Sequence, residues 1–350
     1  MKIKELISTM PGIISVTGST ETAINSVADV SRKVKAGALF VAIPGSNYDG
    51  HDFIPDALKR GANVVIGEKA MDLGDKTYIR VKDSRKALAR SAAWFYGYPG
   101  DKLKIIGVTG TSGKTTITYL VRAMLKETGV RSGVIGTVGN VINDKKLPAS
   151  YTTPGPLRLN QLFMQILEKN LDHVVMEVSS HALKLHRVEG LKFEVGIFTN
   201  LTQDHLDFHK TFEDYFYSKQ KLFEQSKRAV INIDDKSGEK LVSIVDIPVW
   251  TYGINKNADF MAKNIRITAK GVFYDLIFEN KKYPVFYTVP GLFSVYNSLA
   301  ALATGIVLGF PIEGLINALT KVKGIPGRFE LIKNNQNIIV IVDYAHKPDG

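Results

Sequence analysis

The 350-residue sequence contains no cysteine. That absence excludes disulfides, thiolate metal sites and a cysteine nucleophile, and it fits a reducing compartment. No run of about 18 uninterrupted apolar residues occurs, so no membrane insertion is expected. The opening residues 1–14 lack a long apolar stretch and a small-residue cleavage site. No secretory signal is therefore expected, and the expected location is cytoplasmic. Internal repeats, low-complexity tracts and blocks of about five or six like charges are also missing.

What remains is a basic chain rich in apolar residues. Hydrophobic residues make up 45%, enough for a large core, and the length suggests two or three domains. The formal net charge of +11 favours polyanionic partners, whether nucleic acid, a membrane surface or phosphorylated small molecules. Scattered lysines argue against a nucleic-acid partner. A protein holding a nucleoside triphosphate and a second, diphosphate-linked substrate would gain from the same positive field.

Three regions follow one another. Residues 1–100 mix short apolar runs (38–43, 63–66) with helical patterns (53–60, 84–96) and end in a turn-rich linker at 96–100. Residues 101–326 alternate strand-like runs (104–109, 134–136, 173–178, 195–199, 228–233) with helical stretches (115–127, 157–169, 212–223). This alternation predicts an α/β domain with a mainly parallel sheet. Short alternating runs at 265–268, 272–278 and 283–289 read as antiparallel strands attached to it, and a helical pattern covers 294–308. After a second Gly/Pro junction at 324–327, two strand-like runs (329–333, 338–343) cannot bury a core of their own. The expectation is that residues 327–350 begin a further domain.

The strongest local signal is the apolar strand ending in Gly110-Thr111-Ser112-Gly113-Lys114-Thr115-Thr116, with a helical pattern from Lys114. Glycines let backbone N–H groups close around phosphate oxygens, and the helix N-terminus favours anions. Lys114 would reach the β- and γ-phosphates, and the Thr115 hydroxyl would bind Mg2+. The spacing is a short variant, because Val108 stands where the usual loop has its first glycine. A GTPase should also carry Asn-Lys-x-Asp. The nearest run, Asn255-Lys256-Asn257-Ala258, lacks the aspartate, which favours ATP. An ordinary phosphotransferase stays open at this point.

Glu177 ends another apolar strand, where the Mg2+-binding group of a second strand belongs in a phosphate-loop enzyme, with a solvated loop residue as the alternative. After a third strand come Asp204, His205, Asp207 and His209, which suit metal ligation and equally suit a polar loop. By composition Lys219 is a surface lysine.

These motifs together resemble the Mur ligases, and among them the MurE type, which adds the third amino acid to UDP-N-acetylmuramoyl-L-alanyl-D-glutamate. The resemblance runs in order through Gly110–Thr116, Tyr151-Thr152-Thr153-Pro154, Met176–Leu183 with its Glu-Val-Ser-Ser-His string, and Phe198–Asp207. It implies an N-terminal UDP-binding domain (1–100), a central P-loop ATPase-like ligase domain (101–326) and the start of a Rossmann-like C-terminal domain (327–350).

By position, the resemblance implies that Gly110, Thr111, Ser112, Gly113, Lys114, Thr115 and Thr116 cradle ATP, with Asn297 at the adenine and Arg328 and Asp343 near the ribose and phosphates. Lys114, Glu177, His205 and Lys219 are implied as catalytic, Lys219 as a carbamylated lysine. Thr115, Glu177, His205 and carbamylated Lys219 are implied Mg2+ ligands. Ser31, Thr152, Thr153, Ser179 and Arg187 are implied to hold the UDP-muramoyl-dipeptide. ATP would activate the D-glutamyl carboxylate as an acyl phosphate, which the incoming amine attacks. Meso-diaminopimelate is the default amino acid, with L-lysine the alternative, and a monomer is the default assembly. A folate-type ligase, a phosphotransferase and a nucleotide-sensing module are the competing readings.

Overall fold

The computed structural model describes residues 1–205, 207–322, 324–332, 334–335, 338 and 340–345. The chain forms two compact units. The first comprises residues 1–102, 154–164 and 184–191, and the second 103–153, 165–183 and the described residues from 192 onward.

The first unit contains α1 (Ile3–Ile7), β1 (Ile13–Thr17), β2 (Ser26–Ala28), β3 (Ala38–Val41), α2 (Ile54–Lys59), β4 (Ala62–Gly67), β5 (Thr77–Val81) and α3 (Ser84–Phe95). Its five-stranded sheet has the order β1-β5-β4-β3-β2. Only β1 runs antiparallel to its neighbour. All four residues of β3 are buried, which is why 38–43 reads as a continuous apolar run rather than an alternation. Leu39, Val41, Val64 and Ile66 pack with Ala87 and Leu88 of α3, whereas Phe40 and Val65 pack with Ile54 and Ala57 of α2. Neighbouring positions of one strand thus feed opposite faces of the sheet.

The second unit runs β6 (Lys104–Thr109), α4 (Lys114–Glu127), β7 (Ser132–Ile135), β8 (Asn140–Ile142), β9 (Lys145–Leu147), β10 (His173–Glu177), β11 (Phe193–Phe198), α7 (Phe212–Gln220) and β12 (Ala229–Asn232). Before β10 comes α5 (Pro156–Glu168), whose residues 156–164 belong to the first unit, and before β11 comes α6 (Ser180–Lys184), whose last residue does. Then follow α8 (Lys236–Val242), β13 (Val249–Gly253), β14 (Phe260–Thr268), β15 (Gly271–Phe278), β16 (Lys281–Tyr287), α9 (Leu292–Val307), α10 (Ile312–Lys321), β17 (Glu330–Ile332) and β18 (Val340–Val342).

Eleven strands form one sheet in the order β16-β15-β14-β13-β12-β11-β6-β10-β7-β8-β9. The antiparallel strands are continuous with the parallel part, because β14 pairs parallel with β13 before β15 and β16 fold back. The helix α9 is apolar almost all round and mostly buried among β13–β16, α4 and α10. Tight turns with positive φ, at Asn143–Asp144 and Glu279–Asn280, close the β8–β9 and β15–β16 hairpins. The two edge strands carry Lys145 and Lys146 on one side and Lys281, Lys282 and Pro284 on the other, which discourages further strand pairing.

The strand β6 lies between β10 and β11, parallel to both. The chain passes from β10 on one side of β6 to β11 on the other, so the sheet has a switch point there. Crevices beyond the carboxyl ends of strands at such a point are where open α/β sheets take ligands. A separate two-stranded ribbon, β17–β18, begins the region expected to be a third domain; residues 346–350 of that expectation lie outside the described residues.

Candidate active site

The loop between β6 and α4 depends on glycine at two places. Gly110 has φ 146°, and a Cβ there would stand 1.8 Å from the Thr199 hydroxyl oxygen. Gly113 has φ 87°, and its Cβ would stand 2.6 Å from Oδ1 of Asn297. Neither position admits another residue without displacement. The end of β11 grips the loop: Ser112 N–H donates to Asn200 Oδ1 at 2.9 Å and Ser112 O accepts from the Thr199 hydroxyl at 2.7 Å. The Lys114 ammonium folds back on the loop, donating to Gly110 O at 2.8 Å and Thr111 O at 3.1 Å. The Thr111 hydroxyl lies 3.1 Å from that of Tyr215, which burial pushes up to about 12. Thr116 follows, half-buried on the first turn of α4.

At the end of β10, Glu177 is 1% exposed. Its Oε1 accepts from the Thr115 hydroxyl at 3.0 Å and from Thr137 N–H at 2.8 Å, and its Oε2 from the Thr137 hydroxyl at 3.0 Å. The Thr137 oxygen is in turn 3.0 Å from the Thr152 hydroxyl. Beside them the Thr153 hydroxyl donates to Glu177 O at 2.9 Å and accepts from Ser179 N–H at 3.0 Å. Thr115, Glu177, Thr152, Thr153 and Ser179, from three separate stretches of sequence, therefore share one polar cluster. Thr137 is a member that the sequence reading missed. The available signal was Gly136-Thr137 directly after a parallel strand, the position where ligand-facing residues collect.

Lys219 departs from its composition-based reading as a surface lysine. The helix α7 turns it inward to 1% exposure, where its ammonium donates to Gly110 O at 2.9 Å and lies 4.5 Å from the centre of the Tyr215 ring. His205 has φ 53°, pairs with Asp204 at 3.3 Å and sets its ring edge-on to His181 at 4.7 Å. His209, fully buried, bonds the Ser180 hydroxyl at 2.9 Å. Among the described residues, no three His, Asp or Glu side chains converge as a metal-holding group. The four side chains implied as metal ligands are thus distributed: Thr115 with Glu177, Lys219 on the loop carbonyl, His205 on Asp204.

Asn297, on α9, faces Gly113. Arg328 reaches the Thr115 hydroxyl at 3.4 Å, and Asp343 accepts from Phe329 N–H at 2.6 Å. Ser31 and Arg187 belong to the first unit. Ser31 is buried in a short 3-10 turn, and Arg187 is half-buried in the segment that His186 ties to Glu189 at 2.7 Å.

This geometry has known counterparts. Residues 108–305 match the Mur ligase middle domain, and residues 24–96 match the Mur ligase family catalytic domain. The chain belongs to the Mur ligase family. Mur ligases are ATP-dependent amide-forming enzymes.

A UDP-N-acetylmuramoyl-L-alanyl-D-glutamate–2,6-diaminopimelate ligase of Clostridium acetobutylicum is 44% identical over 353 residues, covering 100% of this chain and 73% of its own length. The Clostridium botulinum enzyme of the same name is 46% identical over 326 residues, covering 91% of this chain and 68% of its own. A solved structure with that name has a TM-score of 0.84 at 28% identity, covering all of this chain and 72% of its own. The MurF ligase of Thermotoga maritima, solved with ADP, shares the fold of this Mur ligase at a TM-score of 0.61 and 24% identity, over 93% of this chain and 72% of its own. No helix among the described residues is long and apolar enough to cross a membrane.

Proposed function

We propose that this Mur ligase adds 2,6-diaminopimelate to UDP-N-acetylmuramoyl-L-alanyl-D-glutamate in the cytoplasm, with cleavage of ATP, as a step in peptidoglycan precursor synthesis. The observation that carries this reading is the Glu177 cluster. One buried carboxylate touches both Thr115 of the phosphate loop and, through Thr137, Thr152 of the segment implied to hold the muramoyl-dipeptide. The names of relatives at 44% and 46% identity supply the substrate pair.

A carboxylate and an amine do not condense readily in water, because oxide is a poor leaving group. In this reading the D-glutamyl side-chain carboxylate attacks the γ-phosphorus of ATP, the bond to ADP breaks, and an acyl phosphate forms. The amine of the incoming amino acid then attacks the acyl carbon, phosphate leaves, and the amine proton is lost.

The chain's part is placement and charge. The Lys114 ammonium, which bonds loop carbonyls here, is the group that would meet the β- and γ-phosphates. Gly110 and Gly113 keep the loop backbone open to phosphate oxygens. Asn297, beside Gly113, is assigned to the base, and Arg328 with Asp343 to the ribose and phosphates. Ser31, Arg187, Thr152, Thr153 and Ser179 are assigned to the UDP-muramoyl-dipeptide.

The donors around Glu177 are hydroxyl and carboxylate oxygens, the hard ligands that suit Mg2+. A bound Mg2+ would offset charge on the transferring phosphoryl group. Thr115 and Glu177 are assigned to hold it, and His205 and carbamylated Lys219 to hold a second. Addition of CO2 to the neutral Lys219 amine forms a carbamate N–C bond and releases a proton, turning a buried basic group into an oxygen ligand.

The test is product analysis by mass spectrometry of the full-length protein with ATP, UDP-muramoyl-dipeptide and either diaminopimelate or L-lysine, beside phosphate release. A tripeptide product with diaminopimelate is expected. Product with lysine alone would replace the amino acid. Phosphate release that needs neither the carboxylate nor the amine would point to a phosphotransferase instead.

A further inference from the structure

We propose that Thr137 is a positioning residue that ties Glu177 on the nucleotide side of the site to Thr152 on the peptide side, so that each side senses whether the other is occupied. The proposal rests on the function assigned above.

The proton directions follow from the donors available. A carboxylate only accepts, so the single O–H of Thr137 must go to Glu177 Oε2 at 3.0 Å. The Thr137 oxygen is then left as the acceptor for the Thr152 hydroxyl at 3.0 Å. From the other side the Thr115 hydroxyl donates to Glu177 Oε1. A directed chain results: Thr152 to Thr137 to Glu177, with Thr115 closing it from the phosphate loop. Linked hydrogen bonds polarise one another, so a change at one end alters the strength at the other.

Thr137 is held in register independently of its hydroxyl. Its backbone N–H donates to Glu177 Oε1 at 2.8 Å, and a Cβ on Gly136 would come within 2.3 Å of that same oxygen. The backbone therefore runs against the carboxylate, while Thr137 itself is exposed. When Thr152 turns its hydroxyl to a bound peptide, Thr137 loses its donor. When Thr115 turns to a bound nucleotide and its cation, Thr137 alone keeps both carboxylate oxygens in place. Two binding events thus draw on one hydroxyl.

Calorimetry tests this without turnover. The Kd of the full-length protein for UDP-muramoyl-dipeptide is measured with and without Mg2+ and ADP, for wild type, Thr137→Ser and Thr137→Val. In wild type the nucleotide is expected to change that Kd by roughly fivefold or more. Thr137→Ser should keep the ratio, and Thr137→Val should bring it to about one, with a lowered melting temperature because Glu177 Oε2 loses its hydroxyl donor. A Thr137→Val protein that retains the wild-type ratio, or a wild-type ratio of one, overturns the proposal. Should Thr137→Val not fold, Thr152→Val breaks the same chain from its other end and carries the same expectation. A wild type that binds nucleotide but no UDP-muramoyl-dipeptide overturns the functional reading beneath the proposal.

Discussion

Two helices in this molecule begin at the carboxyl end of a parallel strand, and their first turns are treated in opposite ways. In the first unit α3 follows β5. Asp83 caps it, accepting from Arg85 N–H at 2.9 Å and Lys86 N–H at 3.0 Å, and Glu68 Oε1 takes Ser84 N–H at 2.8 Å. In the second unit α4 follows β6 and opens on Gly113, with no side-chain cap. Both helix starts attract negative charge, since their leading amides lack partners within the helix. The chain's own carboxylates meet that need at α3. At α4 no side chain caps the helix, and the function proposed above gives those amides to a ligand's phosphates. In that reading one strand–turn–helix geometry serves architecture in one unit and chemistry in the other.

The contrast can be broken by experiment, starting with the largest effect. Lys114→Ala should lower ATP turnover by on the order of 10³, as expected for removing a positioned charge from a transferring group, while the protein stays folded. Near-normal turnover in a phosphate-release assay would contradict the role given to this loop. Lys219→Ala should also be inactive, with partial recovery when a short-chain carboxylate is supplied in solution. An unmodified, solvent-facing Lys219 in a map from CO2-replete crystals would remove the carbamate from the mechanism.

Gly113→Ala should weaken nucleotide binding by about tenfold. A left-handed backbone costs a residue with a Cβ about 1–2 kcal/mol, and this Cβ also meets Asn297. Calorimetry with ADP reads this directly, and wild-type affinity would show that the loop tolerates a side chain. The smallest effect belongs to α3. Asp83→Ala should cost about 1 kcal/mol of stability through the lost cap and leave nucleotide affinity unchanged. Thermal melting and the same calorimetry check both halves, and a loss of affinity there would erase the distinction between the two helix starts.

Legibility in the sequence followed the range of the interactions involved. Strands buried on both faces, such as β3, β6 and β10, stand out as apolar runs, and so do the amphipathic helices between them. The alternation at 272–278 and 283–289 reads correctly as antiparallel because one face of β15 and β16 packs on α9. The strands β1, β2, β5, β8, β9 and β13 and the helices α1, α6, α8 and α10 went unnamed. All but α8 and α10 are too short to display a period, whereas α10 carries an amphipathic pattern that was open to reading.

Among site residues, the phosphate loop was legible because seven consecutive residues carry it. Glu177 was legible because it ends an apolar strand. Thr137 was not, because its partners stand 15 and 40 residues away and its one local mark is its place just after β7. Asn200 and Tyr215 lie within or near segments singled out from sequence, yet their roles in gripping Ser112 and Thr111 emerged only from contact.

By itself the sequence determined the longer strands and helices and their order, the glycine loop that leads into α4, the lack of thiol chemistry and the family resemblance. All of these are written in neighbouring residues, through periodicity, turn chemistry and spacing. Only the tertiary structure decided that Lys219 is buried against Gly110 O, and that Thr115 and Thr137 meet at the Glu177 carboxylate with Thr152 linked to it through Thr137. The physical reason is that a buried polar group must find partners wherever the packed chain brings them. For Glu177 those partners arrive from the first turn of α4 and from the segment after β7, and the order of strands in the sheet, rather than the order of residues in the chain, sets which ones meet.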